Sequence, residues 1–138
     1  MEKKDLKPAG VFKYFEEICQ VPRPSKKEEK MIAYLKAFGA KHNLETKVDE
    51  AGNVLIKKPA TPGKENLQTV VLQSHIDMVC EKNNDVQHDF LTDPIETEID
   101  GEWLKAKGTT LGADNGIGVA TELAILADDS IEHGPIEC

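Results

Sequence analysis

Thr69-Val-Val-Leu-Gln-Ser-His-Ile-Asp77 is the stretch of sequence that decides the fold. Its first residues are β-branched or apolar, and its last residues carry an imidazole and a carboxylate. This order predicts a buried strand that presents functional side chains at its carboxyl end. Because ligands of α/β proteins bind at the carboxyl ends of sheet strands, we place the candidate site there.

Two helices are predicted before this strand. Apolar residues recur at helical spacing from Gly10 to Gln20, and Pro22 and Pro24 then end the helix. Ser25 and Glu28 have the spacing of a capping box, in which each side chain bonds to the backbone N–H of the other residue. The second helix is therefore expected to begin at Ser25.

Further strands and one more helix complete the pattern. Leu44–Val48 and Val54–Lys58 alternate around a turn and predict a strand pair. Val119–Ala127 is apolar enough for a buried helix, and Gly134–Cys138 is typical of the opening of another strand, so the chain is expected to stop inside an element. Together these elements predict an α/β fold of three layers, with a mixed, mainly parallel sheet flanked by helices.

A hairpin is predicted at the margin of that sheet. Glu96–Ile99 and Glu102–Lys105 flank Asp100-Gly101, a dipeptide typical of two-residue hairpin turns. We expect Ile99 and Trp103 to pack inward.

Length and charge limit the functions open to this chain. Its 138 residues suffice for about one domain and are few for a two-domain enzyme. The 25 acidic residues outnumber the 17 basic ones and give a net charge of -8. A field of this sign repels phosphate backbones and anionic lipid headgroups, so we expect neither nucleic acid nor a membrane surface as a partner.

The expected location is cytoplasmic. Met1-Glu-Lys-Lys4 is followed by no apolar segment of the kind found in export signals, and no apolar run approaches the roughly 20 residues needed to cross a bilayer. Cys19, Cys80 and Cys138 are widely separated and odd in number, which suits a reducing compartment.

His75 and Asp77 are the first candidate site residues. Their spacing places both side chains on one face of a strand, where the carboxylate can orient the imidazole of a metal ligand or a general base. A bare His-x-Asp sequence also arises by chance. In that case His75 is a packed core histidine and Asp77 begins a loop.

Asp114 is the second candidate, in a glycine-rich turn at the start of the last helix. Its simplest role is a helix cap, bonded to free backbone N–H groups. Gly116 and Gly118, however, would each cost about 1 kcal/mol relative to alanine in a helix, which indicates unusual dihedral angles or close backbone approach, as at ligand sites. His75 with Asp114, backed by Asp77, suits zinc, with Mn²⁺ or Co²⁺ as substitutes, although two ligands do not complete a site.

The other candidates carry less chemistry. The glycine spacing after Gly112 matches no nucleotide-binding loop, and Ser74 lies outside a Gly-x-Ser-x-Gly turn, so neither nucleotide binding nor acyl-enzyme chemistry is expected. Four further residues are interpreted as structural or solvated: His42, His88, His133 and Cys80.

Two longer segments resemble a known family. Leu72-Gln-Ser-His-Ile-Asp-Met-Val-Cys-Glu-Lys-Asn83 and Trp103-Leu-Lys-Ala-Lys-Gly-Thr-Thr-Leu-Gly-Ala-Asp-Asn-Gly-Ile-Gly-Val-Ala120 look like the two metal-site signatures of bacterial aminoacyl-histidine dipeptidases. These Xaa-His dipeptidases, also called cytosol nonspecific dipeptidases or peptidase D, belong to the di-zinc aminoacylase and carboxypeptidase superfamily. The resemblance covers essentially the whole chain, including Cys19-Gln-Val-Pro-Arg-Pro-Ser25.

The resemblance implies a role for each candidate residue. It implies that His75 binds one metal ion, that Asp77 serves catalysis by orienting this histidine, and that Asp114 bridges two zinc ions. The implied reaction is the hydrolysis of small dipeptides, Xaa-His among them, by a water held between the metals. The family's proton-carrying glutamate, its remaining ligands and its lid and dimerisation domain have no counterpart in these residues.

Residues 1–138 are accordingly expected to form the N-terminal part of a metallopeptidase catalytic domain. The chain alone should be nearly inactive and should need the remainder of that domain, and the full-length protein is expected to form a homodimer. Two alternatives stay open. A related tripeptide aminopeptidase or deacylase would keep the metals and change the substrate, whereas a non-catalytic binding fragment would use Asp114 as a helix cap and His75 as a core residue.

Overall fold

The computed structural model describes residues 1–138, and it contains three α-helices and six β-strands. A short 3-10 helix, Lys3–Asp5, precedes them. The helices are α1 (Ala9–Cys19), α2 (Glu29–Lys41) and α3 (Ala113–Ala127). The strands are β1 (Glu45–Val48), β2 (Val54–Lys58), β3 (Val70–Val71), β4 (Thr97–Asp100), β5 (Trp103–Ala106) and β6 (Ile136–Glu137). None of the helices is both long and apolar enough to cross a membrane.

Four strands form one sheet in the order β1-β2-β6-β3. β1 pairs antiparallel with β2, β2 pairs antiparallel with β6, and β3 pairs parallel with β6. The sheet is mixed, as predicted, but the expectation of a mainly parallel sheet is wrong for this chain, since one of these three pairings is parallel. The predicted antiparallel pair β1–β2 belongs to this sheet, and β2 also runs antiparallel to β6; together these two pairings account for the difference.

One apolar cluster joins the helices to the sheet. α1 and α3 pack against each other, and Phe15, Ile18 and Leu123 are almost fully buried between elements. Burying such a side chain contributes about 1.5–3 kcal/mol. Ile56 of β2 belongs to the same cluster, but Leu55, which points to the opposite face, does not. The helices therefore pack on the Ile56 face, and the chain provides two of the three predicted layers.

A buried lysine fixes the far end of α3 to the sheet. Lys58 of β2 is 8% exposed, and its Nζ donates to the backbone oxygens of Ile125 and Asp128 at 3.4 and 3.1 Å. A cation at this position also interacts favourably with the negative end of the helix dipole. Because the end of α3 is anchored in this way, the start of the helix, which carries Asp114, also has a defined position.

The segment Thr69–Asp77 is shorter as a strand, and more exposed, than predicted. β3 contains only Val70 and Val71, which are 53% and 68% exposed. β6 is its single neighbour in the sheet, so its other edge has no covering strand. The prediction of a buried strand is therefore wrong, and residues 72–77 continue as irregular backbone that carries the candidate site.

β4 and β5 form the predicted hairpin, with its turn one residue later than expected. They make a separate two-stranded sheet, so the prediction that the hairpin lies at the margin of the main sheet is wrong. Gly101 is the first turn residue and has a φ of +61°, which glycine adopts at little cost. Ile99 is half-buried, but Trp103 is 75% exposed, so the prediction that it packs inward is wrong. Trp103 and Leu104 point to opposite faces of the strand, and Leu104, paired with Ile99, is the residue that packs on the core.

Candidate metal centre

The structure brings the three predicted site residues together. His75 Nε2 lies 3.0 Å from Asp114 Oδ1, across 39 positions of sequence. His75 Nδ1 lies 2.9 Å from Asp77 Oδ1. One imidazole therefore joins two carboxylates, one at each ring nitrogen, and the irregular segment after β3 meets the start of α3 at this point.

A serine that the sequence assigned to a helix cap supports this site. Ser25 Oγ donates to Asp77 Oδ2, so the Asp77 carboxylate bonds to Ser25 through one oxygen and to His75 through the other. α2 begins at Glu29, and the Glu28 carboxylate accepts a hydrogen bond from the Lys26 backbone N–H instead. The predicted capping box is wrong because the tertiary contact with Asp77 takes the Ser25 hydroxyl.

Asp114 lies just before the regular part of α3. The backbone angles of Asp114 (φ -94°, ψ 102°) and Asn115 (φ -113°, ψ 36°) are not helical. Asn115 Oδ1 accepts a hydrogen bond of 3.1 Å from the Gly118 N–H, which is the capping role that the sequence offered to Asp114. The Asp114 carboxylate is thereby left free to meet His75, and its side chain is 97% exposed.

Close backbone approach explains the glycines of this turn, as the sequence predicted. Gly112 has a φ of +76°, and a Cβ there would lie 2.6 Å from Arg23 Nη2. A Cβ at Gly116 would also lie 2.6 Å from Arg23 Nη2, and one at Gly118 would collide with Asn115 Oδ1. Side chains at these positions would displace the groups that shape the turn.

Hydrogen bonding shifts the protonation equilibria of the site. The hydrogen bond with Asp114 raises the pKa of His75; burial opposes this shift and Asp77 adds to it. The Ser25 hydroxyl lowers the pKa of Asp77, burial opposes this, and His75 lowers it further. Asp77 is therefore ionised at neutral pH and can accept the proton of Nδ1. In the metal-free chain Nε2 donates to Asp114, and a metal ion would take the place of the Nε2 proton between these two groups.

The chemistry of these donors fits a divalent metal ion. Two zinc ligands bonded at about 2.0–2.1 Å in tetrahedral geometry lie roughly 3.3 Å apart, and His75 Nε2 is 3.0 Å from Asp114 Oδ1. No group of three or more His, Cys, Asp or Glu side chains in the chain is arranged to hold a metal ion, since Asp77 faces the other ring nitrogen. The pair therefore fits as two ligands of a site that needs further ligands.

A cavity of about 590 Å³ adjoins the site, and His75 and Asp77 line part of it. Glu122 of α3 also lines it, and Glu122 Oε2 accepts a hydrogen bond of 3.0 Å from Ser74 Oγ. Burial raises the pKa of Glu122. Sequence reasoning missed this residue, although a carboxylate within the apolar run Val119–Ala127 was a visible signal.

The remaining histidines have local partners elsewhere, in agreement with their interpretation as structural residues. These partners are the Phe38 ring for His42, the Phe90 ring for His88, and the Gly134 backbone oxygen for His133. None of them joins the cluster formed by His75.

Two known proteins match almost the whole chain. The cytosol non-specific dipeptidase of Escherichia coli K12 is 52% identical over 136 residues, which cover 99% of this chain and 28% of that protein. The crystal structure of the aminoacylhistidine dipeptidase of Vibrio alginolyticus is 55% identical with a TM-score of 0.95, again covering 99% of this chain and 28% of that one. The predicted resemblance is confirmed. The chain spans about 28% of the length of these relatives, and no protein-family model matches it.

More distant structures share the fold. A tripeptidase from Staphylococcus aureus has a TM-score of 0.73 at 23% identity, and the aminopeptidase PepT from Bacillus cereus has a TM-score of 0.74 at 24% identity. Each alignment covers 93% of this chain and 34% of the other. At such identities the likeness concerns the fold alone, and it confirms the mixed α/β fold class of these peptidases.

Proposed function

We propose that His75 and Asp114 are metal ligands and that this chain forms part of the active site of a metallodipeptidase. The observation that carries the proposal is the contact between His75 Nε2 and Asp114 Oδ1, with the second ring nitrogen held by Asp77. Zinc is the metal that we propose, with manganese or cobalt as substitutes, because imidazole and carboxylate are ligands of all three ions. The names of the two relatives, both dipeptidases, support the reaction class.

The residues of the chain have distinct tasks in this proposal. Bound zinc ions would lower the pKa of a water molecule and polarise the peptide carbonyl. His75 and Asp114 would hold the metal. Asp77 keeps the proton of His75 on Nδ1, and the Ser25 hydroxyl keeps the Asp77 carboxylate in place.

The cluster of His75, Asp77 and Asp114 lacks some of the groups that the proposed reaction needs. A catalytic zinc ion has about three protein ligands, and the chain offers one imidazole and one carboxylate at the meeting point. We propose that the group that carries a proton to the leaving amine also lies outside this cluster. The 138-residue chain alone should therefore hydrolyse dipeptides at a small fraction of the rate of a complete enzyme.

Dipeptides with a carboxyl-terminal histidine are the proposed substrates. This substrate class follows the name of the Vibrio alginolyticus relative, an aminoacylhistidine dipeptidase. A cytoplasmic location follows the name of the Escherichia coli relative in the same way. Homodimerisation of the full-length protein remains part of the proposal.

A chimaera tests the proposed function. The matched segment of the Escherichia coli dipeptidase is replaced by this chain, which is 52% identical to it, and hydrolysis of an Xaa-His dipeptide is measured. We expect activity that needs added zinc, and a fall in kcat/KM of more than about 100-fold for His75→Ala or Asp114→Asn, beyond the range usual for residues outside the ligand set.

His133→Ala is the matched control, because His133 bonds to its neighbour Gly134 and not to the cluster. Full activity of the His75→Ala chimaera would refute the role of His75. Hydrolysis of tripeptides in preference to dipeptides would favour the alternative substrate class.

A further inference from the structure

The single arginine of this chain lies beneath the candidate site. Arg23 is the only arginine among 17 basic residues, and it is 2% exposed. Burying a guanidinium is costly unless its N–H groups are hydrogen-bonded. Arg23 forms no ion pair within salt-bridge distance; its partners are three backbone oxygens.

These oxygens belong to the two segments that carry the proposed ligands. Arg23 Nη1 donates to Ile76 O and Asp77 O at 3.2 and 3.3 Å, within the segment that carries His75. Arg23 Nη2 donates to Gly112 O at 2.7 Å, two residues before Asp114. One side chain thus joins the two segments close to the proposed ligands. Farther from the ligands, the same segments meet in an antiparallel bridge between Lys82 and Thr109.

The backbone of Arg23 is itself fixed to the first segment. The Met78 N–H donates to Arg23 O at 3.0 Å, and the Ser25 N–H donates to Met78 O at 3.3 Å. Ser25 then reaches Asp77 with its hydroxyl. The guanidinium therefore projects from a segment that is already bonded to residues 77 and 78, and its contact with Gly112 helps to set where the end of the second segment lies, just before Asp114.

The second segment is shaped around the guanidinium. A Cβ at either Gly112 or Gly116 would come within 2.6 Å of Arg23 Nη2. Lysine could not replace this group, because an ammonium is one compact donor centre, whereas a guanidinium is a planar fork that donates in several fixed directions. The position of Gly112 relative to residues 76 and 77 thus depends on the shape of the arginine side chain.

Beyond the hydrogen bonds that join His75 to Asp77 and Asp114, the proposed ligands have little support. The side chains of His75 and Asp114 are 51% and 97% exposed, so packing against the core does not hold them. Their separation is set by the backbone segments from which they project. Thr110 also joins these segments, through Val79, but Arg23 bonds to them nearer to the ligands in sequence, at Ile76, Asp77 and Gly112. Burial lowers the pKa of Arg23, but an arginine stays protonated in proteins, so all its donors are retained.

We propose that Arg23 is a positioning residue that sets the separation of His75 and Asp114 and thereby the affinity of the site for a divalent metal. This inference rests on the proposed function of those two residues as ligands. It predicts that loss of the guanidinium loosens the turn before Asp114 and weakens zinc binding, while the distant β1–β2 pair is unchanged.

Two measurements on the chimaera described above, which supplies the remainder of the domain, test the proposal. The first is amide hydrogen exchange without metal, which compares peptides covering residues 112–118 with peptides covering β1 and β2. The second is zinc affinity, measured by competition with a chromophoric chelator. For Arg23→Lys and Arg23→Met we expect faster exchange confined to residues 112–118, and zinc affinity lower by about 10–100-fold, the usual effect of losing a residue that supports metal ligands.

Gly116→Ala tests the same contact from the other side and leaves Arg23 in the sequence. Its Cβ would lie 2.6 Å from Arg23 Nη2, so it should reproduce both effects even if an Arg23 variant does not fold. Gly10→Ala is the matched control, because its Cβ would meet Ala124 at an ordinary 3.5 Å. It should leave exchange at residues 112–118 and zinc affinity unchanged.

The outcomes separate this inference from the proposed function. Failure of the unmodified chimaera to bind zinc would overturn the proposed function and, with it, the role of Arg23 in metal affinity. If the unmodified chimaera binds zinc, equal affinity in folded Arg23→Lys and Gly116→Ala would overturn the inference alone. Faster exchange throughout the chain, in place of a change confined to residues 112–118, would show that Arg23 serves only general stability.

Discussion

The hydrogen bond between Ser25 and Asp77 gives a sharp prediction for Ser25→Ala. A hydrogen bond to a charged group contributes about 1.5–3 kcal/mol. The Asp77 side chain is 33% exposed, and solvent screening reduces that contribution, so we expect the free energy of unfolding to fall by about 1 kcal/mol at pH 7.

The loss of stability in Ser25→Ala should depend on pH, and the direction of this dependence follows from the pKa of Asp77. Ser25 lowers the pKa of Asp77 in the folded chain, so the stability that Asp77 contributes is present above its unfolded pKa of about 3.9 and is lost as pH falls through the folded value. Ser25→Ala should therefore destabilise the chain at pH 7 and have little effect at a pH where folded Asp77 is protonated.

A double-mutant cycle separates this contact from a helix cap. Urea unfolding is measured at pH 7 for the unmodified chain, Ser25→Ala, Asp77→Asn and the double variant, and it is repeated at low pH. The cost of Ser25→Ala should shrink in the Asp77→Asn background. Ser130→Ala is the control, since Ser130 Oγ bonds to Asp128 at 2.6 Å and its cost should not change in that background.

If Ser25 capped α2, its loss would cost the same with or without the Asp77 carboxylate. An equal cost of Ser25→Ala in both backgrounds would therefore refute the assignment of this hydroxyl to the site and restore the capping box.

Two further predictions concern the same cluster. Asp114→Asn should lower the pKa of His75 in the metal-free chain, because Asp114 is the main cause of the raised pKa. The stability due to this ion pair is present below the unfolded pKa of His75, about 6.5, and is lost as pH rises through the folded pKa. NMR titration measures the pKa of His75, and an unchanged value in Asp114→Asn would contradict the contact. Gly118→Ala should lower the free energy of unfolding by about 1 kcal/mol, measured by urea unfolding, since its Cβ would displace the Asn115 side chain that caps the helix. Gly10→Ala, the control, should be neutral or stabilising. A stabilising Gly118→Ala would show that the Asn115 cap is unimportant.

The sequence was most informative where residue type and chemistry coincided. The pairing of His75 with Asp114 could be proposed because imidazole and carboxylate suit one metal, and because two long segments resembled dipeptidase signatures. Glycines at 116 and 118 correctly indicated close backbone approach. α1 and the β1–β2 pair followed from the spacing of apolar residues, which reports local burial directly.

Local rules failed where a distant residue competed for the same group. Ser25 has the spacing of a capping box, but Asp77, 52 positions later, takes its hydroxyl. Asp114 has the position of a cap, but its neighbour Asn115 bonds to the Gly118 N–H. No pattern within a few residues of Ser25 or Asp114 carries this information, since it depends on which segments meet in space.

The role of Arg23 was not predicted from the sequence, although the residue composition singles this arginine out. Its burial against three backbone oxygens could not be read from spacing. Even so, a single arginine in a lysine-rich chain, placed between Pro22 and Pro24, was a visible exception. Prolines on both sides restrict the backbone of this segment, which favours a fixed conformation over a mobile loop.

The position of zinc in crystals of the chain grown with that metal tests the central claim most directly. Anomalous diffraction at the zinc absorption edge should place an ion within bonding distance of both His75 Nε2 and Asp114 Oδ1, with His75 Nδ1 still bonded to Asp77. Zinc bound at other side chains only, with His75 and Asp114 more than a ligand's reach apart, would contradict the metal centre described above.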